Sequence, residues 1–95
     1  MFHKIKSVYP LVGFKLSVRF CEGVTKIYDA TPLLSKIPVF SYLKKHPEEF
    51  DCVTVDAGGY GIVWNDDLDL SCDELWEHGT QIETPFDELL ALGDA

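Results

Sequence analysis

Residues 14–20, FKLSVRF, alternate apolar and polar without a break, and this alternation constrains the fold most. A side-chain period of two belongs to a half-buried strand, because successive side chains leave a strand on opposite faces. The flanking segments share this grammar. Residues 3–9 (HKIKSVY) alternate basic and apolar, Pro10 and Gly13 supply a turn, and Cys21-Glu22-Gly23 leads into VTKIYD at 24–29. Short connections of this kind join antiparallel neighbours. Residues 3–29 are therefore expected to form a three-stranded antiparallel meander. Phe14, Leu16, Val18 and Phe20 should face the core, and Lys4, Lys6, Lys15, Arg19 and Lys26 the solvent.

The next segment changes period. Thr31-Pro32-Leu33-Leu34 has a candidate N-cap followed by proline at the first helical position, where its missing N–H costs nothing. A second short helix is expected from Pro38 to about Lys45, burying Val39, Phe40 and Leu43 and ending at His46-Pro47. DCVTVD at 51–56 returns to strand, Ala57-Gly58-Gly59-Tyr60-Gly61 turns, and Ile62-Val63-Trp64 answers as a hairpin. Asn65–Leu70 is expected as a polar bend. It delivers Ser71 and Glu74 as a capping box for a helix over Cys72–His78, with Gly79 as its stop. Thr84–Gly93 has the pattern of one more short helix, with Phe86, Leu89 and Leu90 as a narrow apolar stripe. The fold class is α+β: an antiparallel meander of three strands, then short helices, a second hairpin and a capped helix. Residues 1–79 are expected as a single domain and 80–95 as an acidic tail.

At 95 residues with 46% apolar content, one compact core is feasible without staples. The longest apolar runs fall far short of a membrane span, and MFHKIKSVYP lacks the apolar stretch of a signal peptide, so a cytoplasmic protein is expected. The three cysteines, Cys21, Cys52 and Cys72, are odd in number and lack metal-site spacing, which suits reduced thiols.

Charge is divided along the chain. All 8 bases lie in the first 45 residues; with Glu22 and Asp29 they leave residues 1–47 at +6, and the 14 remaining acids put residues 48–95 at −14, for a net −8. An acidic half of this size repels nucleic-acid phosphates and attracts basic partners. Direct nucleic-acid binding is disfavoured further because strand alternation sends the aromatics of the basic sheet mainly to the core face.

Motifs for catalysis are absent. Gly58, Gly59 and Gly61 match no phosphate-binding pattern and precede a strand where a phosphate-binding helix should start. Asp66, Asp67 and Asp69 do not follow a calcium-loop pattern. His3, His46 and His78 have no spacing that pairs them with a nucleophile. No cofactor, metal or catalytic residue is nominated. The candidate partner-binding residues are Phe86, Asp87, Glu88, Leu89 and Leu90 in the tail, with Asp66, Asp67 and Asp69 in the bend. Tyr60, Trp64 and Trp76 are candidates for a small-molecule pocket.

The stretch Gly59-Tyr60-Gly61-Ile62-Val63-Trp64-Asn65-Asp66-Asp67-Leu68-Asp69-Leu70-Ser71-Cys72-Asp73-Glu74-Leu75-Trp76 resembles the signature of the bacterial family called domain of unknown function 2442. Val8, Pro10, Leu11, Leu16, Val18, Phe20, Gly23, Asp29 and Leu33 resemble its opening strands and first helical turn. The resemblance covers about residues 3–79 and implies a small α+β domain. Members are often encoded beside a second small protein, and such pairs look like toxin–antitoxin modules with this family as the antitoxin-like component. The resemblance supplies no catalytic residues. The expected function is thus a non-enzymatic, antitoxin-like interaction module whose acidic half binds a basic protein, such as a neighbouring-gene toxin-like protein. The competing expectations are an acidic nucleic-acid mimic that inhibits a nucleic-acid-binding enzyme, a small-molecule-binding domain, and self-assembly through a sheet edge.

Overall fold

The computed structural model describes residues 2–82. Three strands open the chain: β1 (Ile5–Leu11), β2 (Lys15–Phe20) and β3 (Thr25–Asp29). They pair antiparallel as the alternation predicts, with Val8 opposite Val18 and Leu16 opposite Tyr28. Proline at position 10 is tolerated because β1 is an edge strand. The β1–β2 connection bends through Gly13 (φ 82°) and Phe14 (φ 59°). Phe14 therefore sits in the turn rather than at the head of β2. Its ring still reaches the core, edge-on to Phe50 at 5.2 Å, and that packing holds a left-handed backbone that a bulky residue rarely adopts.

Four short helical segments follow: α1 (Thr31–Lys36), a 3-10 turn at Pro38–Phe40, α2 (Ser41–Lys45) and α3 (Pro47–Phe50). Thr31 is not the N-cap of α1. Ala30 occupies that position without a side-chain bond, and the Asp29 carboxylate accepts from the Thr31 backbone N–H at 3.0 Å and its hydroxyl at 2.7 Å. The Thr31 hydroxyl is thus turned to Asp29 as a donor, and the Leu33 and Leu34 N–H groups of the first turn donate to Ala30 O instead. Phe40 and Leu43 are buried as expected, but Val39 is 49% exposed. The 3-10 turn advances the chain at a different angle per residue from an α-helix, which rotates Val39 outward.

The second sheet contains β4 (Thr54–Val55), β5 (Gly61–Asn65) and β6 (Leu68–Ser71), in that order. Part of the expected polar bend is thus a strand: Leu68 and Leu70 point inward while Asp69 and Ser71 point outward. The turn shrinks to Asp66-Asp67, closed by the Asp67 N–H donating to Asn65 Oδ1 at 2.8 Å. Helix α4 (Cys72–His78) starts with the expected cap, the Glu74 N–H donating to Ser71 Oγ at 3.2 Å. The chain then forms β7 (Thr80–Ile82), which pairs antiparallel with β3. Among the described residues the first sheet therefore has four strands, ordered β1-β2-β3-β7, and β7 comes from residues that the sequence pattern assigns to the tail.

One apolar core joins the two sheets. Leu16, Val18 and Phe20 from the first sheet, Leu43 and Phe50 from the helices, and Ile62 and Leu75 from the second half are all essentially buried. The hairpin turn at 56–61 fastens one sheet to the other. Asp56 Oδ1 accepts from the Gly58 and Tyr60 N–H groups, and Gly59 O accepts from Ile5 N at 2.7 Å. Gly59 has a positive φ of 78°, and a Cβ there would come within 2.9 Å of Ile5 O. Glycine at this turn serves backbone contact between sheets.

Candidate functional site

Two regions bring polar and aromatic side chains together. The first is a groove between the helical layer and the β5–β6 hairpin, lined by Val39, Tyr42, Asn65, Asp67 and Leu68, with a volume of about 280 Å³. Its floor is Leu68, fully packed. Its walls are exposed apolar surface from Val39 and Tyr42, held in place because Phe40 meets Trp64 edge-on at 5.9 Å and Leu43 is buried beneath. Trp64 is itself anchored by its indole N–H, which donates to Phe50 O at 3.0 Å. The acids of the hairpin form the rim. Asp67 lines the groove, and Asp66 is its exposed neighbour in the turn. Asp69 alternates with Leu68 and Leu70, so it projects from the opposite face of β6.

The second region surrounds α4. The Tyr28 hydroxyl donates to Glu74 Oε2 at 2.8 Å, and the other oxygen of Glu74 lies 3.2 Å from His78 Nδ1. Burial pushes the Tyr28 hydroxyl well above the usual tyrosine range, and the adjacent Glu74 carboxylate adds to the effect by accepting its hydrogen bond and by charge. Such a phenol stays protonated at neutral pH and is a poor base or nucleophile. On the same helix, the Trp76 ring is stacked on His3 at 3.5 Å, meets Phe20 edge-on at 4.9 Å, and has the Lys26 ammonium 4.1 Å from its centroid. Lys26 Nζ also donates to the Trp76 carbonyl. Lys26 is therefore not on the solvent face expected for it. It pairs with Val18 across the sheet, which places it on the core side, where it rims the packed helix. Tyr9, conversely, pairs with Ser17 and is 51% exposed on the outer face.

This second region fastens a helix to a sheet. Gly79 contributes by close approach, since a Cβ there would meet Leu75 O at 2.6 Å and Lys26 Cβ at 3.0 Å. The buried Cys72 thiol is pushed up by desolvation and then by the Asp73 carboxylate, and so is held away from the reactive thiolate. Tyr60, Trp64 and Trp76 lie in three different settings. Tyr60 packs edge-on to Phe2 with Lys4 over its ring, Trp64 lies among Phe40 and Phe50, and Trp76 packs as described. Among the described residues, no group of three or more His, Cys, Asp and Glu side chains is placed to hold a metal ion. No described helix is long and apolar enough to cross a membrane. Phe86, Asp87, Glu88, Leu89 and Leu90 lie outside the described residues.

Sequence reasoning named Asp66, Asp67 and Asp69 but read their segment as a bend, and it did not name Val39, Tyr42, Asn65 and Leu68, which line the groove beside Asp67. The available signal was the Leu68-Asp69-Leu70-Ser71 alternation, which marks a strand and shortens the turn to Asp66-Asp67.

Two antiparallel sheets around one core, laced by short helices, define a small α+β domain. The family model described as "Protein of unknown function (DUF2442)" matches residues 5–81, from the start of β1 into β7, and the chain belongs to that family. No curated protein matches the chain, and no solved structure matches it.

Proposed function

We propose that this protein is a non-enzymatic, antitoxin-like interaction module that binds a basic partner protein at the groove between α2 and the β5–β6 hairpin. One observation carries the reading: exposed apolar walls, Val39 and Tyr42, stand beside the carboxylate of Asp67 in a cleft of about 280 Å³. An apolar side chain or the stem of an arginine buries against Val39 and Tyr42, while the Asp66-Asp67 turn receives the adjoining positive charge. The acids of residues 48–95 add a field that speeds encounter with such a partner. Asp69 faces away from the cleft and contributes through that field alone.

The test compares capture by tagged wild-type protein with capture by Tyr42→Ala and by Asp66→Lys/Asp67→Lys, from lysate of the source cell at low and moderate salt. A stoichiometric basic protein held by wild type and lost from both variants, each still folded by circular dichroism, supports the reading. Capture that both variants retain refutes the groove. A nucleic-acid-processing enzyme displaced by DNA refutes the antitoxin-like role in favour of nucleic-acid mimicry.

A further inference from the structure

We propose that the outer edge of β6 takes an extended, basic segment of the partner protein as an added strand, with every second side chain of that segment on the side of the groove. This rests on the groove reading and adds to it the conformation and side-chain order of the bound segment.

Hydrogen-bond direction defines the edge. Among the described residues β6 is the outermost strand of its sheet, beyond β5. Leu70 is registered with Ile62, and the Cys72 N–H donates to Tyr60 O at 2.8 Å. In a strand the N–H and C=O of one residue leave on the same side, and those of the next residue leave on the other. Leu70 and Cys72 therefore bond inward, to β5 and the turn before it. The Asp69 N–H and C=O and the Ser71 N–H point outward, away from the sheet. The side chains of Asp69 and Ser71 are exposed, while Leu68 and Leu70 face the core.

The groove adjoins this edge, because Asp67 and Leu68 line it together with Val39 and Tyr42. A strand laid along β6 sets its side chains on the same alternating faces as β6 itself. The residue beside Leu68 therefore enters the cleft, and its neighbour stands beside Asp69 on the opposite face. An apolar side chain suits the first position, where Val39 and Tyr42 are exposed. A cation suits the second. Asp66, Asp67 and Asp69 make no ion pair among the described residues. The groove alone leaves Asp69 only a share in the field, whereas an added strand gives its carboxylate a direct partner. The same acids disfavour a second copy as occupant, since two β6 edges laid together set acid against acid, and like charges opposed across strands are destabilising. Short, charged edges resist indiscriminate pairing, and this one selects by sign. What it recognises is an extended segment in which apolar and basic residues alternate.

The experiment titrates the full isotope-labelled chain with a capped peptide of alternating arginine and valine, followed by nuclear magnetic resonance. We expect shifts at Val39, Tyr42 and Leu68 and slowed exchange of the Asp69 and Ser71 amides. Methylating the backbone nitrogens of the arginines blocks antiparallel addition, and methylating those of the valines blocks parallel addition. One of these two forms should bind about tenfold more weakly or worse. In the chain, Asp69→Pro removes an outward N–H and spares the β5 ladder. It should weaken binding several-fold beyond Asp69→Asn, which removes the charge alone. If Asp69→Pro does not fold, the methylated peptides on the wild-type chain carry the comparison. Three results would each overturn the added strand while leaving the groove reading in place: shifts at Val39 and Tyr42 without protection at Asp69 and Ser71, undiminished binding of both methylated forms, or equal binding of a peptide with its arginines in one block. Absence of binding at millimolar peptide overturns it too. The groove reading falls separately, on capture that Tyr42→Ala and Asp66→Lys/Asp67→Lys both retain.

Discussion

Replacing Tyr28 with Phe removes one oxygen and little else, so it isolates the bond that fastens α4 to β3. The ring is 4% exposed and keeps its packing. What is lost is a 2.8 Å bond to the Glu74 carboxylate. Hydrogen bonds to charged groups contribute about 1.5–3 kcal/mol. Glu74 is 35% exposed and keeps both His78 and water, which puts the expected cost at the low end, about 1.5 kcal/mol. For a domain of this size that lowers Tm by about 6–12 °C. Burial of the hydroxyl, with this bond second, predicts a pH dependence. Tyr28 is raised above its ordinary value in the folded protein, so between the two values the unfolded chain holds fewer protons than the native one. Its contribution is complete below about pH 10, the unfolded tyrosine value, and declines above it. Subtracting the stability of Tyr28→Phe from that of wild type cancels the other tyrosines and the lysines. Urea unfolding followed by circular dichroism at pH 7 and at steps from pH 9 to 11 should show a difference near 1.5 kcal/mol that shrinks above about pH 10. A difference within about 0.3 kcal/mol of zero at pH 7, or one that grows with alkalinity, would refute the argument.

Two further substitutions test other parts of the scaffold. Ser71→Ala removes the acceptor for the Glu74 N–H and should cost about 1 kcal/mol in thermal unfolding. Gly61→Ala drives a Cβ to 2.6 Å from Leu70 O and should weaken the β5–β6 pairing severely, whereas at Gly58 the crowding atoms belong to the exposed Tyr60 ring, which can swing aside. Equilibrium unfolding should therefore separate the pair, with Gly61→Ala more destabilised by at least 1 kcal/mol or so.

The strands of the meander, the Ser71 cap, the hairpin at Gly58-Gly59 and the span of α4 were legible in short windows of sequence. Each depends on interactions between residues a few positions apart, and periodicity and capping report those directly. Thr80–Ile82 was not legible as a strand. Three residues carry too little pattern, and their pairing is decided by β3, more than 50 positions away. Lys26 and Tyr9 show the same limit from the other side. Alternation states that neighbours face opposite ways, but only the register of β2 against β1 and β3 decides which set faces the core. The candidate groove followed the same logic. Its acids could be read from residues 65–69, but Tyr42 joins them only after the 3-10 turn and the Phe40–Trp64 contact bring the helical layer onto β5. Sequence by itself determined the elements and the charge asymmetry, because both are local or additive properties of the chain. Tertiary structure decided which faces are covered and which side chains meet, because those depend on pairings between distant segments.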